Sequence, residues 1–471
     1  MREYNYRLLV SVCLIHFLLG FDINIISVSL PSISEYFSVN PGTVNRIIWI
    51  YFLVIVCLLL ATGKAGDIKG FKKIYTSGII LFIAGSLLAS VSFDFNFLLL
   101  SRIVQAAGAA AMFALTPAII TFYFPEEVRG RVFGINYSFT ALGGITGRAA
   151  SGFLVSNLGW NSVFYLNIPF GLLALILIYR YLPEFVPTGE KKRFDFKNAL
   201  LISSGLFFLM TALNTGNQSG WTSVPVLLSF TASAVLILLF YNVQMKSENP
   251  LIDKLIIKNK RISFPVIAFA LVYLITNGMI FLVPFFLQWV KLISKQEAGL
   301  LMAVPSVMQM IAGYISGKLS DSYGKSKICL YALVFIFVSL ILHLMFTPES
   351  SMYFIIITLA FYGAAIGFFI PSNTNAIMTN APEISKGTVS GFMTTFIRIG
   401  SAFGTVIFGS LFSHYVPFPD PLKSQVSKEL IVSGFRGAVF AGIVSALISM
   451  LLIYYSESRN RTGLIKTQRL A

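Results

Sequence analysis

The chain consists of long apolar stretches separated by short polar breaks, and this pattern constrains its fold more than any other feature. A helix needs roughly 20 apolar residues to cross a membrane core of about 30 Å. The stretches have about this length, so the sequence predicts an all-α membrane protein. We place fourteen predicted spans, at 8–31, 46–63, 74–92, 97–122, 132–156, 162–182, 198–215, 222–244, 262–290, 298–317, 327–346, 352–376, 388–413 and 432–455.

Composition excludes a soluble enzyme, a disordered chain and a fibrous repeat. Hydrophobic residues make up 56% of the 471 residues and charged residues only 11%, whereas soluble domains carry about 25% charge. Too few charges remain to cover a surface in contact with water. Cys13, Cys57 and Cys329 all fall within apolar stretches, and their odd number argues against a disulfide framework.

The basic residues predict the orientation of the chain. The net charge of +16 does not indicate nucleic acid here, because membrane proteins concentrate Lys and Arg in their cytoplasmic loops. Most of the 35 Lys and Arg residues lie in alternate loops, including those around Lys72, Arg129 and Arg261. We therefore expect these loops and both termini to be cytoplasmic. Tryptophans at the opposite helix ends fit an interfacial aromatic belt, and they are Trp49, Trp160, Trp221 and Trp289.

Two motifs recur along the chain, and they predict a duplicated architecture. Gly63, Asp67 and Gly70 reappear at a constant offset as Gly317, Asp321 and Gly324, and a similar offset relates Gly143, Gly147 and Gly152 to Gly400, Gly404 and Gly409. Transporters built from two related halves show such internal symmetry. The predicted organisation is a six-helix bundle at 1–182, cytoplasmic linkers with an inserted helix pair at 183–261, a second six-helix bundle at 262–456 and a cytoplasmic tail at 457–471.

Five segments carry a family resemblance. They are the run from Phe21 to Pro31 in the first span, the loop from Gly63 to Lys73, the run from Leu100 to Gly108 in the fourth span, the run from Gly159 to Gly171 at the start of the sixth, and Asn249-Pro250-Leu251-Ile252-Asp253 after the inserted pair. With these motifs the chain resembles the major facilitator superfamily, and within it the fourteen-spanner drug–proton antiporter family of the multidrug efflux type. The resemblance implies two six-helix bundles plus an inserted helix pair.

Asp22 is the one acidic residue among the 19 that is predicted to lie well inside a span. A charge at that depth must be paired, hydrated or neutralised, and a carboxyl whose pKa is raised can exchange a proton near neutral pH. The resemblance implies that Asp22 and Arg102 take part in proton coupling. The alternatives are a static Asp22–Arg102 pair that locks two helices, and an Arg102 side chain that reaches the outer interface.

The two repeated loops predict gating elements. Glycine permits a tight turn between helices, so Gly63, Gly70, Gly317 and Gly324 allow the turns, while Asp67 and Asp321 can cap or pair with another helix. In the family this loop latches the two bundles on the cytoplasmic side. The pattern is partial here, because Ile68 and Phe71 occupy positions where the family usually has basic residues.

The fifth span contains Gly143, Gly147, Arg148 and Gly152, and it departs from the antiporter motif that it otherwise resembles. Arg148 stands where the family has a proline, which weakens the expectation of export. Small residues at this spacing predict close helix contact. Arg102, Arg148 and Arg398 together suggest an anionic substrate, whereas the alternative is that Arg148 faces an outer aqueous vestibule.

Other signals complete the functional prediction. Asn24, Asn277, Gln309 and Arg398 are candidates to line the substrate cavity. The histidines show no metal-ligand spacing, and the chain has no phosphate-binding loop of an ATP-driven pump, so we expect neither metal, cofactor nor enzymatic activity.

The sequence therefore predicts a monomeric, plasma-membrane antiporter that exchanges protons for lipophilic or amphipathic small molecules by alternating access. Two alternatives remain open. One is an organic-anion or other solute uniporter or symporter of the same fold. The other is a non-transporting membrane sensor or scaffold.

Overall fold

The structure, a computed structural model, describes residues 5–184, 194–416 and 427–468, and the regular secondary structure in this part of the chain is entirely helical. The prediction of an all-α fold is confirmed. We number the main helices α1 Tyr6–Tyr36, α2 Arg46–Lys69, α3 Phe71–Ser90, α4 Phe95–Tyr123, α5 Glu126–Leu158, α6 Asn167–Tyr181, α7 Phe196–Ser219, α8 Val224–Lys246, α9 Lys260–Phe285, α10 Ala303–Tyr323, α11 Lys325–Leu344, α12 Met352–Thr379, α13 Lys386–Tyr415 and α14 Lys428–Gln468.

Short elements connect several of these helices. A π-helical turn at Phe286–Val290 extends α9, and a 3-10 turn at Glu383–Ser385 precedes α13. Four short α-helices complete the set, at Pro41–Val44, Ser162–Tyr165, Lys254–Lys258 and Lys295–Leu301. The start of the predicted linker at 183–261 and the end of the predicted tail at 457–471 lie partly outside the described residues.

Each predicted span coincides with a helix, but not every helix is equally apolar. Within the described ranges, thirteen helices are long and apolar enough to cross a membrane. The helix missing from this set is α5, although it is 33 residues long. Its sequence is interrupted by glycines and by polar side chains such as Asn136 and Arg148, so apolarity alone does not identify it as a span.

Local sequence explains where the helices begin and end. The Asp94 carboxylate accepts hydrogen bonds from the backbone N–H groups of Asn96 and Phe97, at 2.7 and 2.9 Å, and so caps the start of α4. Gly70 and Gly324 have φ angles of 92° and 98°. Because side chains disfavour this left-handed region, glycine allows the chain to turn sharply after α2 and after α10.

The chain divides into two compact units. The first comprises Met1–Met210, Leu228–Ile256 and Ala381–Thr395, and the second comprises Thr211–Leu227, Ile257–Asn380 and Phe396–Ala471. In the first unit α1 packs along α5, and α4 packs against both α2 and α3. In the second unit α12 packs against α10 and α11, and α9 packs along α14. Helix α13 begins in the first unit and continues into the second.

Candidate functional site

Asp22 of α1 lies at the centre of a fully buried polar cluster in the first unit. Its side chain is 0% exposed, and that of Arg102 on α4 is 1% exposed. The Arg102 Nη1 atom lies 3.2 Å from Asp22 Oδ2. Gln105 and Asn167 each donate a hydrogen bond from the side-chain amide to Asp22 Oδ1, at 2.9 and 2.6 Å. The carboxylate therefore receives hydrogen bonds from three side chains on α4 and α6.

Aromatic rings and an amide hold the Arg102 guanidinium in place. Its Cζ atom lies 4.0 Å from the centre of the Tyr51 ring and 5.8 Å from that of Phe164. Nη1 also donates a hydrogen bond to Gln105 Oε1. Stacking on a ring face stabilises a cation that has lost its water. The Arg102 side chain thus points at Asp22 inside the unit and does not extend toward an outer membrane–water interface.

Close packing of α3 on α4 brings Gln105 into the cluster. A Cβ atom at Gly85 would lie 2.4 Å from the Gln105 backbone nitrogen, so only glycine permits this approach. Gln105 Nε2 also donates to Ser86 Oγ at 2.8 Å. Gln105 and Asn167 lie within two of the family motifs, but the sequence assigned neither of them a role. A usable signal was that Gln105 lies one helical turn after Arg102.

Two of the three motif glycines of α5 form a seam with α1. A Cβ at Gly143 would lie 2.1 Å from the Phe17 carbonyl oxygen, and one at Gly147 would lie 2.7 Å from that of Phe21. Gly152 has nothing within 4 Å and makes no such contact. The seam fixes the rotation of α1, and thereby the direction in which Asp22 points.

The same seam recurs in the second unit. A Cβ at Gly400 of α13 would lie 2.0 Å from the Ala270 carbonyl oxygen, and one at Gly404 would lie 2.2 Å from that of Leu274 on α9. Gly409, like Gly152, has no atom closer than 3.6 Å. The repeated glycines therefore allow the same close contact between two helices in both units.

Arg148 projects from α5 beside α1 and is exposed. Its Nε atom donates a hydrogen bond to Asn24 Oδ1 at 2.9 Å. The Asn24 amide nitrogen in turn donates to the Gly20 carbonyl oxygen at 2.8 Å. Arg148 is thus anchored to α1, on a different side of that helix from the buried Asp22.

Asp67, at the end of α2, caps the start of α13. Its Oδ1 accepts a hydrogen bond from the Gly387 backbone N–H at 2.7 Å, and its Oδ2 accepts from the Thr388 N–H at 2.7 Å and the Thr388 hydroxyl at 2.6 Å. A Cβ at Gly63 would lie 2.3 Å from the Gly387 carbonyl oxygen, so glycine is needed for this approach. A carboxylate at a helix N-terminus is also favoured by the helix dipole.

Asp321 occupies the equivalent position in the second repeat but has a different environment. The Asn375 amide donates to Asp321 Oδ1 at 3.4 Å, which is longer than the bonds made by Asp67. Gly317 is buried in α10, and Gly324 provides the turn. Two loops that are similar in sequence therefore place their aspartates in different environments.

The remaining candidate cavity residues lie in the second unit. Asn277 Nδ2 donates hydrogen bonds to the Ser401 hydroxyl at 3.0 Å and to the Tyr273 carbonyl at 3.1 Å. Arg398 is half-buried and close enough to the Tyr273 phenol to interact with it electrostatically. Gln309 is half-buried on α10. Asn24, in contrast, belongs to the first unit.

Known proteins similar to this chain include a riboflavin transporter and two resistance proteins. The riboflavin transporter RibZ of Clostridioides difficile (strain 630) is 30% identical over 426 residues, which cover 90% of this chain and 92% of RibZ. The multidrug resistance protein Stp of Mycobacterium tuberculosis (strain H37Rv) is 27% identical over 90% of this chain and 81% of Stp. The methylenomycin A resistance protein of Bacillus subtilis (strain 168) is 26% identical over 94% of this chain and 92% of that protein.

Solved structures show the same fold at low sequence identity. The human organic anion transporter MFSD10 (TETRAN) superposes with a TM-score of 0.70 at 14% identity, over 96% of this chain and all of that one. The proton:xylose symporter XylE superposes with a TM-score of 0.65 at 14% identity, over 94% of this chain and 95% of that one.

The sequence model of the Major Facilitator Superfamily matches residues 12–405 of this chain, and a second match to the same family covers residues 268–469. Together with the transporter relatives, this match makes the protein a multi-pass membrane transporter of small molecules and not an enzyme. The chain belongs to the Major Facilitator Superfamily.

Proposed function

We propose that the protein is a proton-coupled antiporter of the fourteen-spanner drug:proton antiporter family. It exports lipophilic or amphipathic small molecules across the cell membrane by alternating access, with fourteen spans and both termini cytoplasmic. The observation that carries this proposal is the buried cluster around Asp22, in which a carboxylate at membrane depth faces a cation. Relatives named for resistance to drugs and to methylenomycin A, at 27% and 26% identity, support export.

The cluster supports proton coupling for a physical reason. As an anion, Asp22 is stabilised by Arg102, Gln105 and Asn167, whose donors all require an acceptor. Protonation of Asp22 removes that charge and weakens every one of these hydrogen bonds, because bonds to charged groups are the stronger ones. A proton on Asp22 therefore favours a different arrangement of α1, α4 and α6, and this links proton binding to a conformational change.

The junction between Asp67 and α13 is proposed as the gate. Helix α13 belongs partly to each unit, so a bond to its first turn in the first unit constrains a helix that continues into the second. Breaking the junction is expected to shift the balance between inward and outward opening.

Transport of riboflavin is a second candidate, favoured by the 30% identity to RibZ over most of both chains. Competition by riboflavin against an effluxed dye would distinguish this substrate from purely lipophilic compounds.

The test replaces Asp22 by Asn, which keeps size and hydrogen bonding but cannot titrate. Purified protein in vesicles with an imposed pH difference is assayed for accumulation of ethidium and of riboflavin. We expect Asp22→Asn to abolish uphill transport, while exchange between equal pools survives. Glu35→Gln is the matched control, because Glu35 is exposed on the same helix. Accumulation by Asp22→Asn at the rate of the parent protein would refute the proposed role of Asp22.

A further inference from the structure

Arg148 is a cation deep in a helix that the proposed fold places in the membrane. Helix α5 runs without interruption from Glu126 to Leu158, and Arg148 lies about 15 Å along its axis from Leu158 at 1.5 Å per residue. The ion pair between Asp22 and Arg102 involves neither Arg148 nor its helix.

The guanidinium of Arg148 is oriented by α1. Its Nε atom is bound to Asn24 Oδ1 at 2.9 Å, and Asn24 is fixed in turn by its bond to the Gly20 carbonyl oxygen. A Cβ at Gly144 would lie 3.0 Å from the Asn24 amide nitrogen, so glycine leaves room for this arrangement. Because Nε is the anchored atom, Nη1 and Nη2 remain as a fork of donors, and neither has a partner among the described side chains and backbone.

A charge placed in this way needs water or an anion beside it. Arg148 is exposed, and a bare guanidinium facing lipid tails is strongly disfavoured. The Asp22 carboxylate already accepts bonds from three side chains and is fully buried, so it does not neutralise Arg148. A planar fork of N–H donors matches the two oxygens of a carboxylate or phosphate, which it binds through two parallel hydrogen bonds.

We propose that Arg148, positioned by Asn24, is a substrate subsite that binds the oxyanion group of an amphipathic organic anion. This inference rests on the proposed transport function and adds the charge of the substrate. Carboxylate and phosphate groups share the required chemistry. The subsite selects for an anionic group on the substrate and against cationic analogues of the same size, because a cation would be repelled by Arg148.

The test measures binding to the purified protein in detergent, without any pH gradient, so its outcome is independent of Asp22 and of antiport. Fluorescein and rhodamine 6G share a ring scaffold but carry opposite charge, the first with a free carboxylate. Riboflavin and its phosphate ester FMN differ only in the phosphate. The variants are Arg148→Gln, which removes the charge, and Arg148→Lys, which keeps the charge but loses the fork. Arg46→Gln, at the start of α2, is the control.

We expect wild type to bind fluorescein more tightly than rhodamine 6G, or FMN more tightly than riboflavin. A preference for fluorescein indicates that the subsite binds a carboxylate, and a preference for FMN indicates that it binds a phosphate. Arg148→Gln should weaken binding of that anion about ten- to hundredfold, as loss of charge-assisted bonds implies, with Arg148→Lys in between. Binding of the uncharged or cationic partner should be retained, which also shows that the variant is folded. Equal binding of the anion by wild type and Arg148→Gln would overturn the proposal, as would a wild type that binds neither anion.

Discussion

The junction between α2 and α13 offers the sharpest test of how this protein changes conformation. Replacing Asp67 by Ala removes the acceptor of three short hydrogen bonds from Gly387 and Thr388. The first turn of α13 then loses its cap, and its N–H groups are left without a partner until water enters. We expect the junction to open far more often in this variant.

The size of the effect follows from the bonds that are lost. A hydrogen bond to a charged group contributes about 1.5–3 kcal/mol, and a carboxylate at a helix N-terminus adds about 0.3–1 kcal/mol through the dipole. The three bonds share one carboxylate, so their sum is an upper bound, and we expect roughly 3–5 kcal/mol. Since about 1.4 kcal/mol corresponds to a factor of ten, the open population should rise by roughly a hundredfold to several thousandfold.

A cysteine introduced at a buried position of α13 can report on this opening. Ser390 is fully buried, and its hydroxyl has no hydrogen-bond partner within the described part of the protein, so Ser390→Cys removes no bond. The native residues Cys13, Cys57 and Cys329 are first replaced by Ala. The rate of reaction with N-ethylmaleimide, measured with Asp67 and with Asp67→Ala, then gives the ratio of open populations.

The chain supplies its own matched control. Asp321 stands at the equivalent position of the second repeat, but its bond from Asn375 is 3.4 Å long and involves α10 and α12 rather than α13. Asp321→Ala should therefore leave the labelling of Ser390→Cys nearly unchanged. A labelling rate within about twofold of the parent in Asp67→Ala would mean that the cap contributes little to closing the junction, and the energy estimate above would be wrong.

Three further expectations follow from the packing. Cysteines placed along α7 and α8 should stay unreactive to bulky aqueous reagents, because both helices are apolar and α8 exposes mainly large hydrophobic side chains; a reactive stripe at helical spacing would contradict a lipid-facing position. Gly143→Ala should lower the unfolding temperature, since overpacking costs about 1–3 kcal/mol, whereas Gly152→Ala should leave it unchanged or raise it; equal effects would refute the seam. Burial tends to raise the pKa of Asp195, but hydrogen bonds from Asn198 and Ser247 outweigh this and hold the pKa below its ordinary value. Asp195→Ala should therefore lower the unfolding temperature at pH 7, and the difference should begin to shrink as the pH falls below about 4, the ordinary pKa of Asp, and vanish only below the lower pKa of the folded state; a difference that stays the same as the pH falls below about 4 would exclude the carboxylate as its cause.

The helices themselves could be predicted because their signals are local. An apolar run of sufficient length partitions out of water whatever its neighbours are, so each predicted span coincides with a helix. The depth of Asp22 followed in the same way, from counting residues along one helix. Even the glycine seam could be anticipated, since its residues recur at helical spacing in both repeats. Helix α5 was also predicted, as the span at 132–156, although its glycines and polar side chains such as Arg148 leave it less apolar than the thirteen helices that are apolar enough to cross a membrane.

The contacts of these residues were decided only by the tertiary structure. Gln105 and Asn167 bind Asp22 because α3, α4 and α6 approach α1 at a particular rotation, which no single helix encodes. Gly152 lies five residues after Gly147, on a different face of α5, and has nothing within 4 Å, whereas the hydroxyl of its neighbour Ser151 donates a hydrogen bond to the Ile25 carbonyl oxygen of α1. Asp67 and Asp321 share a motif, but their acceptor oxygens meet different helices. Sequence periodicity determines on which face of its own helix a residue lies. The helix that packs against that face is decided by the tertiary structure, because small residues determine how closely two helices can approach each other.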